Sequence, residues 1–138
     1  YPAHEDAVEI LKGNASKPIS HVKPVIGQEE FAALQAQTND MYVHEMIYGY
    51  IVTIVEKTRS SEFLSLGASP RGSIALLRMS KALALIAGRD YVSPEDVGEA
   101  LYVTLGHRVK LSTKAKAAGL DTTAVLRKIY QSVEAPGT

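Results

Sequence analysis

Apolar residues recur at helical spacing over most of this chain. Over residues 43–58 they fall at Val43, Ile47, Tyr50, Ile51, Ile54 and Val55, close to the i, i+3, i+4, i+7, i+8 template of a helix with one buried face. Gly49 inside this run points to a close helix contact, because a mid-helix glycine otherwise costs about 1 kcal/mol against alanine. Before it, residues 3–11 predict a short helix, with Glu5 and Asp6 in the first turn and Gly13-Asn14 past its end. Residues 15–27 carry two prolines and alternate loosely around Ile19, Val22, Val25 and Ile26, which predicts a loop with at most a short extended piece. Residues 28–37 predict a helix opened by Glu29 and Glu30, and Asn39-Asp40 breaks the pattern. Residues 59–66 read as a connecting loop.

The most apolar helix is predicted over residues 70–87. Ser93-Pro94-Glu95-Asp96 is a second start signal, with Ser as N-cap, Pro first inside and an acid three residues after the Ser. Its helix buries Val97, Leu101 and Leu105. Residues 107–111 predict a short strand. Thr122 opens a last helix with Val125, Leu126, Ile129 and Val133 on one side, and residues 135–138 form a tail. The expected architecture is an all-α bundle of about five or six helices with at most a short strand pair. It forms a single domain over residues 1–138, in which residues 1–27 are a linker-like lead-in.

Composition narrows the class. The chain has 138 residues, 46% of them hydrophobic, with 15 basic against 15 acidic side chains. This is the balance of an ordinary globular domain with a sizeable core, and it lacks the basic surplus of a nucleic-acid binder. Without cysteine there is no disulfide or thiolate chemistry. No apolar run approaches the roughly 18 residues of a membrane span, and nothing resembles a signal peptide, so a cytoplasmic location and no membrane partner are expected. The chain opens on Tyr1-Pro2 with no initiator methionine, which is expected of a piece of a longer protein.

A self-contained catalytic centre is missing from the pattern. None of the ten glycines begins a P-loop, and His44-Glu45 has no second histidine at Tyr48. The four histidines are scattered, so no metal site is expected. Glu5/Asp6, Glu29/Glu30 and Glu95/Asp96 all fall at predicted helix starts, where the dipole favours acids, rather than forming an acid–base pair. Seven Tyr, two Phe and no Trp give no base-stacking platform.

Leu66-Gly67-Ala68-Ser69-Pro70-Arg71-Gly72 is the stretch that stands out. Ser69 suits an N-cap, its hydroxyl taking an orphan amide hydrogen, and Pro70 suits the first helical position. Arg71 then lies in the first turn, where free amides and the helix dipole already point a positive field outward. A cation is poorly placed there unless an anion sits in front, and a helix N-terminus plus Arg makes a phosphate clamp. Arg78 lies within one face-width of Arg71, and Lys81 is offset by roughly 80°. One stripe of this helix is therefore basic while Ile74, Leu77, Leu83, Leu85 and Ile86 cover the rest. The plain alternative is the solvated stripe that any bundle helix carries.

Taken in order, Tyr50-Ile51-Val52, Thr58-Arg59, Gly67-Ala68-Ser69-Pro70-Arg71-Gly72, Gly88-Arg89-Asp90-Tyr91-Val92-Ser93-Pro94-Glu95-Asp96-Val97 and His107-Arg108 resemble the C-terminal helical lid of MoxR-type AAA+ ATPases, close to the magnesium-chelatase and MCM branch. The resemblance covers essentially the whole chain. It implies that Arg71 is the sensor-2 residue, reaching from the lid to the γ-phosphate of ATP held by the core, with Ser69, Pro70 and Gly72 setting its position. Arg59, Arg89, His107 and Arg108 match family motif positions and would make structural or inter-subunit contacts; for Arg89-Asp90 the plain alternative is a local ion pair and turn. ATP and Mg²⁺ would be bound mainly by a P-loop core N-terminal to Tyr1, so this chain alone should not hydrolyse ATP. The implied partners are that core, neighbouring subunits of a homo-oligomeric ring, often a hexamer, and a von Willebrand-A-type protein. The implied role is in a chaperone-like remodelling or cofactor-insertion motor. Two other readings stay open: a stand-alone helical protein- or DNA-interaction module with Arg71, Arg78, Lys81 and Arg89 as a phosphate-backbone face, and a small regulatory domain that binds protein only. Zero net charge counts against the DNA form.

Overall fold

The computed structural model describes residues 1–13 and 22–137. The chain forms two compact units, Tyr1–Ala33 and Leu34–Thr138. The first holds α1 (His4–Leu11) and the start of α2 (Gln28–Asp40); neither helix buries a residue. Residues 15–21 of the expected loop, Ile19 among them, lie outside the described residues. The helix at Gln28 runs on through Asn39 and Asp40 rather than stopping before them.

The second unit holds α3 (Glu45–Ser60), β1 (Leu64–Leu66), α4 (Pro70–Ile86), α5 (Pro94–Leu105), β2 (Lys110–Leu111), α6 (Thr113–Ala117) and α7 (Thr122–Gln131). The architecture is mostly all-α with one short antiparallel strand pair. Seven helices occur among the described residues, one or two more than the pattern predicts. The unforeseen one is α6, a single short turn whose N-cap Ser112 accepts the Ala115 amide hydrogen at 3.2 Å. Residues 59–66 are not simply a loop. The helix continues through Ser60, and β1 pairs with β2, Leu64 opposite Leu111. That partner is remote in sequence, so no local pattern betrays the strand.

α3, α5 and α7 supply most of the core. Ile47, Tyr50, Ile51, Ile54, Val55, Val97, Ala100, Leu101, Leu105, Val125, Leu126 and Ile129 are buried. Each fully buried side chain of this size is worth about 1.5–3 kcal/mol. The Tyr130 ring lies against α5 where Gly98 has no side chain; a Cβ there would fall 2.6 Å from Cζ of the ring. Tyr50 meets the same ring edge-on with centroids 6.3 Å apart. Burial, then contact with Tyr130, raises the Tyr50 phenol's pKa above its ordinary value. Gly49 is not at a close helix contact: no atom of another element lies within 4 Å of where its Cβ would be.

α4 buries a different face from the one expected. Its buried residues are Gly72, Leu76, Ser80 and Ala84, one row at i, i+4 that lets the backbone press against α5. Leu77, Leu83 and Leu85 pack on the core half-buried, but Ile74 and Ile86 are 53% and 82% exposed.

Two devices fix the ends of α4. At its C-terminus Gly88 takes a left-handed φ of 71°, and the Arg89 amide returns to the Ala84 carbonyl at 3.0 Å. The Arg89 guanidinium then grips Asp96 with both Nη atoms, while Asp96 Oδ2 also accepts the Ser93 amide at 2.8 Å. The partner of Arg89 is thus Asp96 of α5, not the adjacent Asp90. At the N-terminus, the last turn of α3 clasps the chain just before the helix. Thr58 Oγ1 accepts the Ala68 amide hydrogen at 2.9 Å and donates to the Val55 carbonyl at 2.6 Å. Arg59 Nε donates to the Ala68 carbonyl at 2.8 Å. Gly67 lies so close beneath that a Cβ would fall 2.6 Å from Arg59 Cα and N.

The clasp makes Gly67→Ala destabilising. The overlap is with helix backbone, which cannot rotate away as a side chain would, and overpacking of this kind costs about 1–3 kcal/mol. Denaturant titration should show that loss, and an unchanged midpoint would mean that the segment does not pass this close to α3. The Arg89–Asp96 grip predicts an acid limb. Burial opposes ionisation of Asp96, but hydrogen bonds from Arg89 and the Ser93 amide outweigh it and hold the carboxyl below its ordinary value. The stability this gives is fully present above about pH 4, the unfolded carboxyl range, and is lost as pH falls through the lower folded value. Unfolding midpoints measured from pH 7 down to pH 2 should fall less steeply in Asp96→Asn than in the native chain; parallel curves would contradict the assignment.

Candidate functional site

The start of α4 presents a site at which three cations meet, Arg71, Arg78 and Arg108. Ser69 occupies the N-cap with φ −79° and ψ 166°, but its hydroxyl makes no capping bond. Its carbonyl instead accepts the Gly72 amide hydrogen at 2.8 Å. Ser69 therefore acts through its backbone, not through the hydroxyl that its identity suggests. Pro70 takes the first helical position, where its fixed φ suits the helix and no amide is needed. The register of this turn is set from α3, through the hold on Ala68.

Arg71 is exposed in the first turn. The ion pairs among the described residues are Lys12–Glu9, Arg89–Asp96 and Lys114–Glu62, so Arg71 carries its charge without a carboxylate. It lines an open cleft of about 420 Å³ together with Ile74, Ala75, Arg78, Met79, Ala82 and Arg108. The lining holds three guanidinium groups and no acid. Such a wall concentrates positive potential, and the helix dipole adds to it.

Arg108 reaches this cleft from beyond the end of α5. Its Nε donates to the Thr104 carbonyl at 3.1 Å. Gly72 lies close beneath the end of α5, since a Cβ there would fall 3.3 Å from Leu105 Cδ2, with Arg108 Cδ at ordinary contact distance, 3.9 Å. The glycine after Arg71 thus lets the α5 terminus approach the first turn of α4. Sequence reasoning placed Arg108 at a motif position but not in the cleft with Arg71, because the two are brought together only by the α4–α5 packing. The reverse holds for Lys81, whose Nζ donates to the Asn39 carbonyl at 2.7 Å. It lines a neighbouring cleft with Gln35, Thr38, Asn39, Arg78 and Ala82. The basic stripe is therefore divided, with Arg78 at the boundary.

The remaining predicted positions lie apart. Arg59 is the clasp on Ala68. Arg89 is committed to Asp96 and to the Tyr91 carbonyl at 3.1 Å, and its guanidinium stacks over the Tyr91 ring. Its ion pair with Asp96 favours the charged guanidinium still further. His107 is exposed and does not line the cleft. Among the described residues no three histidine, aspartate or glutamate side chains converge as a cation site. The donor set of the cleft fits phosphoryl oxygens and does not fit Mg²⁺, which requires carboxylate or other oxygen ligands.

Comparison with known proteins gives these residues a family. The AAA lid domain model matches residues 56–129, a span that holds the clasp, α4 and the cleft. The chain is 39% identical over 137 residues to the uncharacterized protein YeaC of Bacillus subtilis, covering 99% of this chain and 43% of that protein. It is 32% identical over 145 residues to Chaperone MoxR1 of Mycobacterium tuberculosis, covering 99% and 38%. A crystal structure from Cytophaga hutchinsonii, described as a "putative ATPase", superposes with a TM-score of 0.77 at 27% identity over 98% of this chain and 44% of that one. The chain thus spans less than half the length of each of these proteins. No helix among the described residues is long and apolar enough to cross a membrane. By the match over more than half its length, and by the α4 geometry that the match contains, the chain belongs to the AAA lid domain family, as a lid of the MoxR-type AAA+ ATPases.

Proposed function

We propose that this chain is the sensor-2 lid of a MoxR-family ATPase and that Arg71 contacts the terminal phosphate of ATP held by a P-loop core. The observation that carries the proposal is an exposed, carboxylate-free arginine in the first turn of a helix, on a cleft with two further arginines. The planar guanidinium offers two parallel N–H donors to a phosphoryl group, and the helix N-terminus adds a fixed positive field without reorganisation. Ser69, Pro70 and Gly72 hold that arginine at the helix start. Single-domain behaviour of residues 1–138 belongs to the same proposal.

Division of labour follows from the donor set. ATP would supply the anion, and Mg²⁺ would be held by the core's carboxylate and hydroxyl ligands, since no acid lines the cleft of this chain. Phosphoryl transfer needs the phosphate cradle, the metal and a positioned water together, so the chain by itself would be inactive as an ATPase. Within a ring of identical subunits, an arginine that engages nucleotide from a separate helical body couples the nucleotide state to the position of that body. This is the step by which the lid would drive a chaperone-like remodelling or cofactor-insertion cycle, with a von Willebrand-A-type protein as the expected partner in the cytoplasm.

The test is steady-state ATP turnover by the ATPase containing this lid, native against Arg71→Ala. Turnover should fall at least about tenfold, or roughly 1.4 kcal/mol of transition-state stabilisation, with an unchanged unfolding midpoint. Unchanged turnover would overturn the sensor-2 assignment and leave the cleft as a surface for a protein or nucleic-acid partner.

A further inference from the structure

The cleft holds a second exposed guanidinium that the sensor-2 reading does not use. We propose that Arg108 is a phosphate-binding residue that engages a second phosphoryl group of the same polyphosphate as Arg71. The proposal rests on the nucleotide reading of the cleft given above.

Three observations support it. Arg108 and Arg71 line one cleft whose wall carries no carboxylate. Arg108 is fixed at only one of its donor nitrogens, Nε, by the Thr104 carbonyl. That bond orients the plane of the guanidinium and leaves its two Nη groups for a ligand, an arrangement suited to bidentate phosphate contact. The approach is also built into the backbone. Gly72 lets the end of α5 lie close against the first turn of α4, with Leu105 Cδ2 only 3.3 Å from where its Cβ would be and Arg108 Cδ at the ordinary contact distance of 3.9 Å. Like charges gathered on one concave wall repel one another until an anion enters, and each added cation strengthens the field on that anion. A chain of two or more phosphoryl groups can meet two guanidiniums at once, whereas a single phosphate meets one of them well.

The experiment uses the 138-residue chain labelled with nitrogen-15 and titrated separately with inorganic tripolyphosphate and inorganic monophosphate. The side-chain Nε–Hε signals of the arginines report binding. The proposal expects the Arg71 and Arg108 signals to move together with one dissociation constant for tripolyphosphate. Arg108→Ala should weaken tripolyphosphate binding at least about threefold while changing monophosphate binding less, so the preference for the longer anion falls. Arg108→Lys should recover part of it, and Arg127→Ala, on the exposed face of α7, should leave both constants unchanged. The backbone amide spectrum of each variant establishes that the fold is retained. If Arg71 responds while Arg108 stays still and Arg108→Ala binds as the native chain does, the proposal is overturned and the role of Arg71 stands. If neither arginine responds, both are overturned. A fall that is equal for the two anions would also overturn the two-phosphoryl assignment, because it would mark Arg108 as a general support of the cleft.

Discussion

The structure depends on the grip of one helix end on one alanine. Ala68 has its amide hydrogen taken by Thr58 Oγ1 and its carbonyl by Arg59 Nε, both from the last turn of α3. Both backbone groups of a residue that is 1% exposed are therefore satisfied, where an orphan of either kind would cost about 1–3 kcal/mol. Gly67 permits the approach, since any side chain would strike the helix backbone. The consequence is that α4 leaves α3 at a fixed place and direction. Pro70 and the Ser69 carbonyl then start the helix, and Arg71 falls in its first turn. An arginine on a loop would lose more conformational freedom on meeting an anion; one delivered by a clasped helix start has part of that ordering already done.

The second constraint is the small-residue row of α4. Gly72, Leu76, Ser80 and Ala84 are the buried positions, and three of the four are small, so α4 and α5 approach closely. Close packing at the first turn brings the far end of α5 to α4, and with it Arg108 to the cleft. At the other end the loop is closed by Gly88 and by the Arg89–Asp96 pair. The charged residues of the motif therefore divide into two kinds. Arg59 and Arg89 are spent on backbone carbonyls and a buried carboxylate and hold the fold. Arg71, Arg78 and Arg108 face an open cleft with no acid in it, which is a costly arrangement for stability and a useful one for binding an anion.

Much of this was legible in the sequence. The 3.6-residue rhythm of Ile47, Tyr50, Ile51, Ile54 and Val55 placed α3, and the Ser-Pro starts placed α4 and α5, because these signals are local. The strand at residues 107–111 was legible as β2, but its partner β1, α6 and the continuation of α3 to Ser60 were not, since they depend on partners far along the chain or on a turn too short to show a period. The buried face of α4 was misjudged for a physical reason: a helix pressed close to its neighbour buries a row of mostly small residues around Leu76, and Ile74 and Ile86 fall off that row. Arg71 was visible from its cap and motif. Its cleft was not, because Arg108 arrives there only through the packing of α4 on α5, and Lys81 is drawn off by the Asn39 carbonyl. Residues 14–21 lie outside the described residues, and the expectation for them stands as it was.

The central claim is that the clasped helix start exists to aim Arg71 at a nucleotide phosphate. It is tested most directly by a crystal structure of the ATPase containing this lid with Mg²⁺ and a non-hydrolysable ATP analogue. The account predicts the Arg71 guanidinium about 3 Å from a terminal phosphate oxygen, as in a charge-assisted hydrogen bond, with the Ala68 hydrogen bonds to Thr58 and Arg59 unchanged. A guanidinium more than about 6 Å from any phosphate, beyond the reach of a close charge pair, in an otherwise closed nucleotide site would contradict it.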